Sequence, residues 1–358
     1  TGKVMVKTDK RHKTLAVTDL FSIQQDSSTG QYNYYSKVDG ALANALYLVN
    51  LDTVPVVAFA TGHNEMLTVS DNLSTFTGML NDNNFEVKEF NMLTDEIPED
   101  ASIVVLGTPT TDYTSEELSK LEAYLGDEKM ASSRTLYVTA YPTQSWADMP
   151  NLKSFLAEWG LEPQTGVLFE SDMNNVLTTQ DASPAYLFAN VTDDVLSGTY
   201  DNVIAAAAAP VKRLFTSNND IATYSILETA YLTTTQEVEE NPNTDTYTIT
   251  GLAQRYMDNQ GKICANVVVD GNSMGYLGTF LGNSTFGNKD YTLDFIKNLT
   301  GTTDTRVGLV VNQTQTNTLD ISASSAVIQT IGLGLFTIVV PVAVLIIGLV
   351  IFLRRRHL

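Results

Sequence analysis

Two rhythms of apolar and polar residues alternate along this chain. "VPVVAFA" (54–60), "SIVVLGTP" (102–109), "TLYVTAYP" (135–142) and "KICANVVVDG" (262–271) are short, nearly continuous apolar runs. Strands buried on both faces have this pattern. Between them, apolar residues recur at helical spacing: Val38, Leu42, Ala45, Leu46 and Val49; Met66, Val69, Leu73, Phe76 and Leu80; Leu118, Leu121 and Leu125; Leu152, Phe155, Leu156 and Trp159. Thr114 and Glu117 have capping-box spacing ahead of the third set, and Gly160 ends the fourth. Strands alternating with amphipathic helices predict βαβ units. The expected fold class is α/β, a mainly parallel, Rossmann-like three-layer domain with added strands.

The flanks read differently. Residues 1–22 predict two strands around the basic turn "DKRHK". "TGVLFE", "AYLFANV", "NVIAAAAAPV" and "TYSILETA" add strand signals that suggest a strand-rich subdomain across 165–250, and "DYTLDFIKNLTG" reads as a helix. From 303 to 330 Thr, Asn, Ser and Gln dominate, as in an extended stalk, with "VGLVV" offering an edge strand. Ile331–Leu353 then holds no charged residue, and Thr337 is its only polar side chain. As a helix this run spans roughly 35 Å, enough to cross a bilayer core, and a membrane helix tolerates Pro341. Arg354, Arg355 and Arg356 favour a cytoplasmic end. The expected organisation is an extracytoplasmic domain (1–318), a linker (319–330), a transmembrane helix (331–353) and a cytoplasmic tail (354–358). This places the chain in the cell membrane as a single-pass protein.

Composition narrows the function. The formal charge is −20, and three of the basic residues sit in the tail. Such an acidic body repels phosphate backbones, so nucleic acid is not an expected partner. Cys264 is the single cysteine, so no internal disulfide forms. No G-x-S-x-G elbow and no P-loop lysine motif occur. Cys264 lies within a strand pattern, and the histidines are only His12, His63 and His357. "NPNTDTYTITGL" (241–252) departs from a calcium loop at Thr246 and Leu252. The expectation is a chain without enzymatic activity, metal or cofactor.

Ligand sites in open α/β sheets lie beyond the carboxyl ends of strands. "TGHNE" (61–65) and "GTPTTDY" (107–113) occupy such places. Thr61, Gly62, His63, Glu65, Gly107 and Thr108 therefore form the candidate ligand-binding crevice. Its glycines admit backbone, and a following helix N-terminus would favour an anion. The competing reading is a strand-to-helix turn, with Glu65 occupying the helix field.

Several stretches in order resemble one family: "VPVVAFATGHNE", "GMLNDNNFEVKEFNML", "IPEDASIVVLGTPTTDYTSEELSKLEAYL", "LKSFLAEWGLEP" and "VVVDGNSMGYLGTFLGNSTFGNKDYTLDFIKNLTG", then a final span and arginines. Together they are similar to the GldG family, the auxiliary component of gliding-motility-type ABC transporters. The family's turn more often reads Gly-His-Gly-Glu; here Asn64 takes the third place, and "GDEKMASS" replaces a glycine pair. The resemblance implies an amidotransferase-like α/β fold without catalytic residues. It also implies an ABC permease and ATPase as partners, and a span upstream of Thr1. The rival functions are a surface hydrolase or amidase working through the two loops, and an adhesion or sensor domain without a transporter.

Overall fold

The computed structural model describes residues 2–25, 32–126, 133–178, 183–231, 233–235, 245–257, 262–302, 312–313 and 336–356. They fall into two units, Thr1–Leu20 with Lys37–Val310, and Phe21–Ser36 with Val311–Leu358.

The first unit opens with the expected hairpin, β1 (Lys3–Lys7) and β2 (His12–Ala16), antiparallel with Val6 opposite Lys13. A short helix α1 (Val17–Leu20) follows. Strands β3 (Phe21–Gln25) and β4 (Tyr32–Ser36) belong to the second unit. Helix α2 (Val38–Asn50) returns to the first. Its Ala45 is buried with Leu15 and Leu20 in a small core, as its helical spacing predicts.

The main layer system then runs β5 (Val56–Thr61), α3 (Ser74–Asp82), β6 (Glu86–Asn91), β7 (Ala101–Leu106), α4 (Ser115–Leu125), β8 (Arg134–Thr139) and α5 (Pro150–Glu158). Strands β9 (Leu161–Pro163), β10 (Phe169–Glu170), β11 (Tyr186–Val191), β12 (Val203–Ala206), β13 (Val211–Arg213), β14 (Ser217–Asn218), β15 (Ile221–Glu228), β16 (Thr233–Thr234), β17 (Thr248–Tyr256) and β18 (Ile263–Asp270) follow, then α6 (Gly278–Leu281) and α7 (Asn288–Leu299). The central sheet has the order β12-β11-β15-β17-β18-β8-β7-β5-β6, with β14 on β15. Strands β18, β8, β7, β5 and β6 are parallel. The added strands β17, β15, β11 and β12 extend them antiparallel. Much of 165–250 thus joins the same sheet, while β10 with β16 and β9 with β13 form two short ribbons.

Period-two alternation sorts the strand residues between two cores. Val57, Phe59, Ile103, Val105 and Tyr137 meet Phe76 and Leu80 of α3 and Phe295 and Leu299 of α7. Ala58, Ala60, Val104, Leu106 and Leu136 meet Leu121 and Leu125 of α4 and Leu152 and Leu156 of α5. Helices on both faces make the three layers. The capping box of α4 forms as its spacing predicts, with Thr114 accepting from the Glu117 N–H.

One helix differs from expectation. The pattern starting at Met66 predicts a helix directly after "TGHNE", but α3 begins only at Ser74. Met66 and Leu67 instead donate their N–H groups to the Thr108 and Gly107 carbonyls. Thr68 and Asn72 then hold the chain in turns: the Asn72 side chain accepts from the Thr68 N–H and donates to the Met66 carbonyl. Ser, Asp and Asn side chains compete with helical backbone in this way. Met66 ends up exposed, off any helix face.

In the second unit β4 pairs with β3 on one side and with the two-residue strand β19 (Asn312–Gln313) on the other. "VGLVV", the linker 319–330 and residues 331–335 lie outside the described residues. Phe336–Val339 form a wide, π-type turn leading into helix α8 (Val340–Arg356). Pro341 comes directly after this wide turn; with no N–H to donate it cannot continue the regular ladder, and the wide turn stands where that bond is missing. Phe336–Arg355, a span of 20 residues, is long and apolar enough to cross a membrane, and none of its apolar window is buried.

Candidate functional site

The parallel strands β5 and β7 deliver "TGHNE" and "GTPTTDY" side by side at their carboxyl ends. The two loops are stitched together. The His63 carbonyl accepts from the N–H groups of Thr110 (2.9 Å) and Thr111 (3.1 Å). The Asn64 side chain donates to Thr111 Oγ1 at 2.9 Å. Glu65 folds back on its own turn: its carboxylate accepts from the N–H groups of Gly62 and His63, each at 3.1 Å. Gly62 has φ +116° and Asn64 φ 51°, so the turn needs two left-handed residues. The third-place asparagine is thus a residue type that tolerates this conformation.

His63 is buried. Its ring stacks on Tyr113, 3.8 Å between centroids and 8° between planes. Nε2 lies 3.3 Å from Glu117 Oε2, and Nδ1 lies 3.9 Å from Glu65 Oε1. A buried imidazole therefore stands between two carboxylates; Glu65 also holds two backbone amides, and Glu117 the N–H and hydroxyl of Thr114. Burial pushes Glu117 up, but the Thr114 N–H and hydroxyl, with His63, outweigh it and hold the carboxyl below its ordinary range. Tyr113 is pushed well up, chiefly by burial and then by the charges of Glu65 and Glu117. Its hydroxyl, His63 Nδ1 and Trp146 Nε1 are buried with no hydrogen-bond partner among the described residues.

The remaining candidates take structural posts. Thr61 Oγ1 donates to the Phe90 carbonyl at 3.1 Å, tying β5 to β6. Thr108, fully buried with φ 56°, pairs its hydroxyl with that of Thr139 at 2.7 Å. A side chain on Gly107 would place Cβ 2.2 Å from the Leu67 carbonyl oxygen. Gly62, His63, Glu65, Gly107 and Thr108 thus form one interlocked double turn. Because α3 starts at Ser74, no helix N-terminus follows "TGHNE" directly, and the expected anion site at that point has no dipole behind it. Among the described residues no group of three His, Cys, Asp or Glu could hold a metal ion.

Cys264 is the second residue of β18, partly buried, with its thiol donating to the Arg255 carbonyl at 3.4 Å. Three strand spacings, about 14 Å, separate β18 from β5. Cys264 also sits at the amino end of its strand, whereas His63 lies beyond the carboxyl end of β5. The two cannot form a dyad.

A second polar cluster, to which no sequence motif points, lies at the carboxyl end of β18. Asp270 is fully buried; its carboxylate accepts from the hydroxyls of Tyr137 (3.0 Å), Tyr276 and Thr250 (3.0 Å) and from the Asn272 N–H (2.8 Å). Burial nonetheless raises its carboxyl above the ordinary range, against all of these donors. The available signal was an aspartate closing the apolar run "NVVVDG", where Gly271 packs within 2 Å of the Ala209 carbonyl if given a Cβ.

No protein-family model and no curated protein matches this chain. A solved structure titled "mmIFT52 N-terminal domain" aligns with a TM-score of 0.51 over 68% of this chain and 96% of that one, at 15% identity. At that identity the two chains share a fold, and the likeness goes no further.

Proposed function

We propose that this chain is a non-enzymatic, membrane-anchored accessory subunit of an ABC-type transport system. The α/β unit lies outside the membrane and binds a partner protein or transported ligand. The observation that carries the reading is the apolar helix Phe336–Arg355, exposed along its length and ending in arginines. An acidic α/β body on such an anchor suits a subunit that presents a domain beside a permease. The stretches similar to the GldG family support the reading. They map onto β5, β6, β7, β18 and helices α3, α4, α5 and α7, that is, four of the five parallel strands, all but β8, and helices on both faces of the sheet. The His63 turn favours a non-catalytic role: its imidazole is enclosed, and no nucleophile reaches it from Cys264.

Photocrosslinking from Gly348 on α8 in the native membrane tests the proposal. The expected adduct is a multi-span permease. A cysteine at Asn317 should be labelled from outside, and a reporter after Leu358 should be cytoplasmic. Labelling of Asn317→Cys only after permeabilisation, or adducts to lipid alone, would overturn it.

A further inference from the structure

A cleft of 280 Å³ lies between the amino-terminal hairpin with α2 on one side and α3 with α7 on the other. Its floor is apolar, made by Leu15, Ala45, Leu48 and Leu293. Its rim carries Lys13, Lys37, Lys289, Asp19, Asp82 and Asp290. Two of these are engaged: Lys13 Nζ donates to the Asn81 carbonyl at 3.3 Å, and Asp19 accepts from the Ala16 N–H at 2.7 Å. Lys37, Lys289, Asp82 and Asp290 form no ion pair among the described residues. Elsewhere on this unit lysines do find acids, as Lys88 with Asp100 and Lys10 with Asp52, both at 2.6 Å.

Three of the unpaired charges oppose the helix they sit on. Asp82 is the last residue of α3, where exposed carbonyls repel an anion. Lys37 is the N-cap of α2, and Lys289 stands in the first turn of α7, where exposed N–H groups repel a cation. Each costs local stability, and all three face one cleft. Asp82 feels the charges of Lys13, Lys37 and Lys289 but forms no ion pair with them among the described residues, and local rules broken together are expected where a site serves function. Asp82 is exposed at the mouth, yet the cleft walls displace water from it. That desolvation raises its carboxyl, with Lys13 opposing, Asp19 adding, and Lys289 and Lys37 opposing.

We propose that this cleft binds a small zwitterion of amino-acid or short-peptide size. The ligand's carboxylate meets Lys37 and Lys289, its ammonium meets Asp82, and its carbon chain lies on the Leu48–Leu293 floor. The proposal gives the ligand class for the exterior domain of a transport subunit and rests on that reading only for its physiological meaning.

The test is calorimetric titration of the full chain in detergent micelles with 6-aminohexanoate and with the dipeptide Gly-Gly. Hexanoate and hexylamine serve as single-charge analogues. At least one zwitterion should bind, and both single-charge analogues should bind about tenfold more weakly, the loss of one charge-assisted contact. Asp82→Asn and Lys289→Gln should each weaken the zwitterion by a similar factor, with melting temperatures at or above wild type because each removes an unfavourable helix charge. Lys212→Gln, on β13 and outside the cleft, should leave binding unchanged. Hexanoate binding as well as 6-aminohexanoate, no heat from either zwitterion at millimolar concentration, or unchanged affinity in Asp82→Asn would each overturn it. Such a failure leaves the permease crosslink untouched, so the two proposals fail separately.

Discussion

Replacing Gly107 by alanine tests whether the double turn at the carboxyl ends of β5 and β7 is as tightly interlocked as its geometry indicates. The new Cβ would sit 2.2 Å from the Leu67 carbonyl oxygen and 3.2 Å from its carbon. Carbon-to-oxygen contacts settle at about 3.3–3.6 Å, so one backbone must retreat by about 1 Å. Overpacking of this kind costs about 1–3 kcal/mol. The same retreat strains two hydrogen bonds, Leu67 N–H to Gly107 (2.9 Å) and Met66 N–H to Thr108 (3.0 Å). Each contributes about 1 kcal/mol. The expected loss is about 3–5 kcal/mol in all. Urea unfolding of the full chain in micelles, followed by fluorescence of the buried Trp146 and Trp159, reads it directly. Gly78→Ala in α3 is the control: its Cβ meets nothing within 4 Å, so it should stabilise by about 0.5–1 kcal/mol. A Gly107→Ala loss below about 1 kcal/mol would refute the interlocked turn.

Three further substitutions probe the polar posts. Glu117→Gln keeps the capping geometry but removes the charge. Because the folded carboxyl is held low, its contribution exists above the ordinary value of 4.5 and disappears as pH falls through the folded value. Glu117→Gln should therefore be less stable than wild type at neutral pH, with the gap closing in acid; a gap independent of pH would contradict this. Asp270 has the opposite sign, since its folded carboxyl is raised above 3.8. Folding takes up a proton between 3.8 and the raised value, so wild type should gain on Asp270→Asn as pH falls through that window, and a flat difference would count against it. Cys264→Ser should cost about 1 kcal/mol and leave the proposed transport-linked function intact; loss of function in the folded variant would restore the enzyme rival.

The parallel strands were legible because each is buried on both faces and reads as an unbroken apolar run. "SIVVLGTP" and "TLYVTAYP" needed no context. Helices α2, α4 and α5 were legible from one apolar stripe each, α4 also from its Thr114–Glu117 cap, and α7 from the segment "DYTLDFIKNLTG". The start of α3 was not. Met66 and Val69 fit a helical period by chance, and the deciding interactions, the pairing of Met66 and Leu67 with residues 107 and 108, join segments about forty residues apart. The candidate crevice was partly legible: the two loops do meet, because adjacent parallel strands bring them together. That Glu65 turns inward and Glu117 reaches His63 depends on side-chain directions that spacing does not encode. The Asp270 cluster was hidden for a similar reason, since Tyr137, Thr250 and Tyr276 converge only once three separate segments pack.

Affinity purification of the full chain from gently solubilised native membranes, with mass spectrometry of what accompanies it, tests the proposal that this chain serves an ABC-type transporter from a membrane anchor. A multi-span permease and an ATPase should accompany the tagged chain in stable proportion, both lost when residues 336–358 are deleted or replaced by an unrelated span. Recovery of the chain with neither protein, or the same partners retained by the soluble domain without the helix, would contradict it.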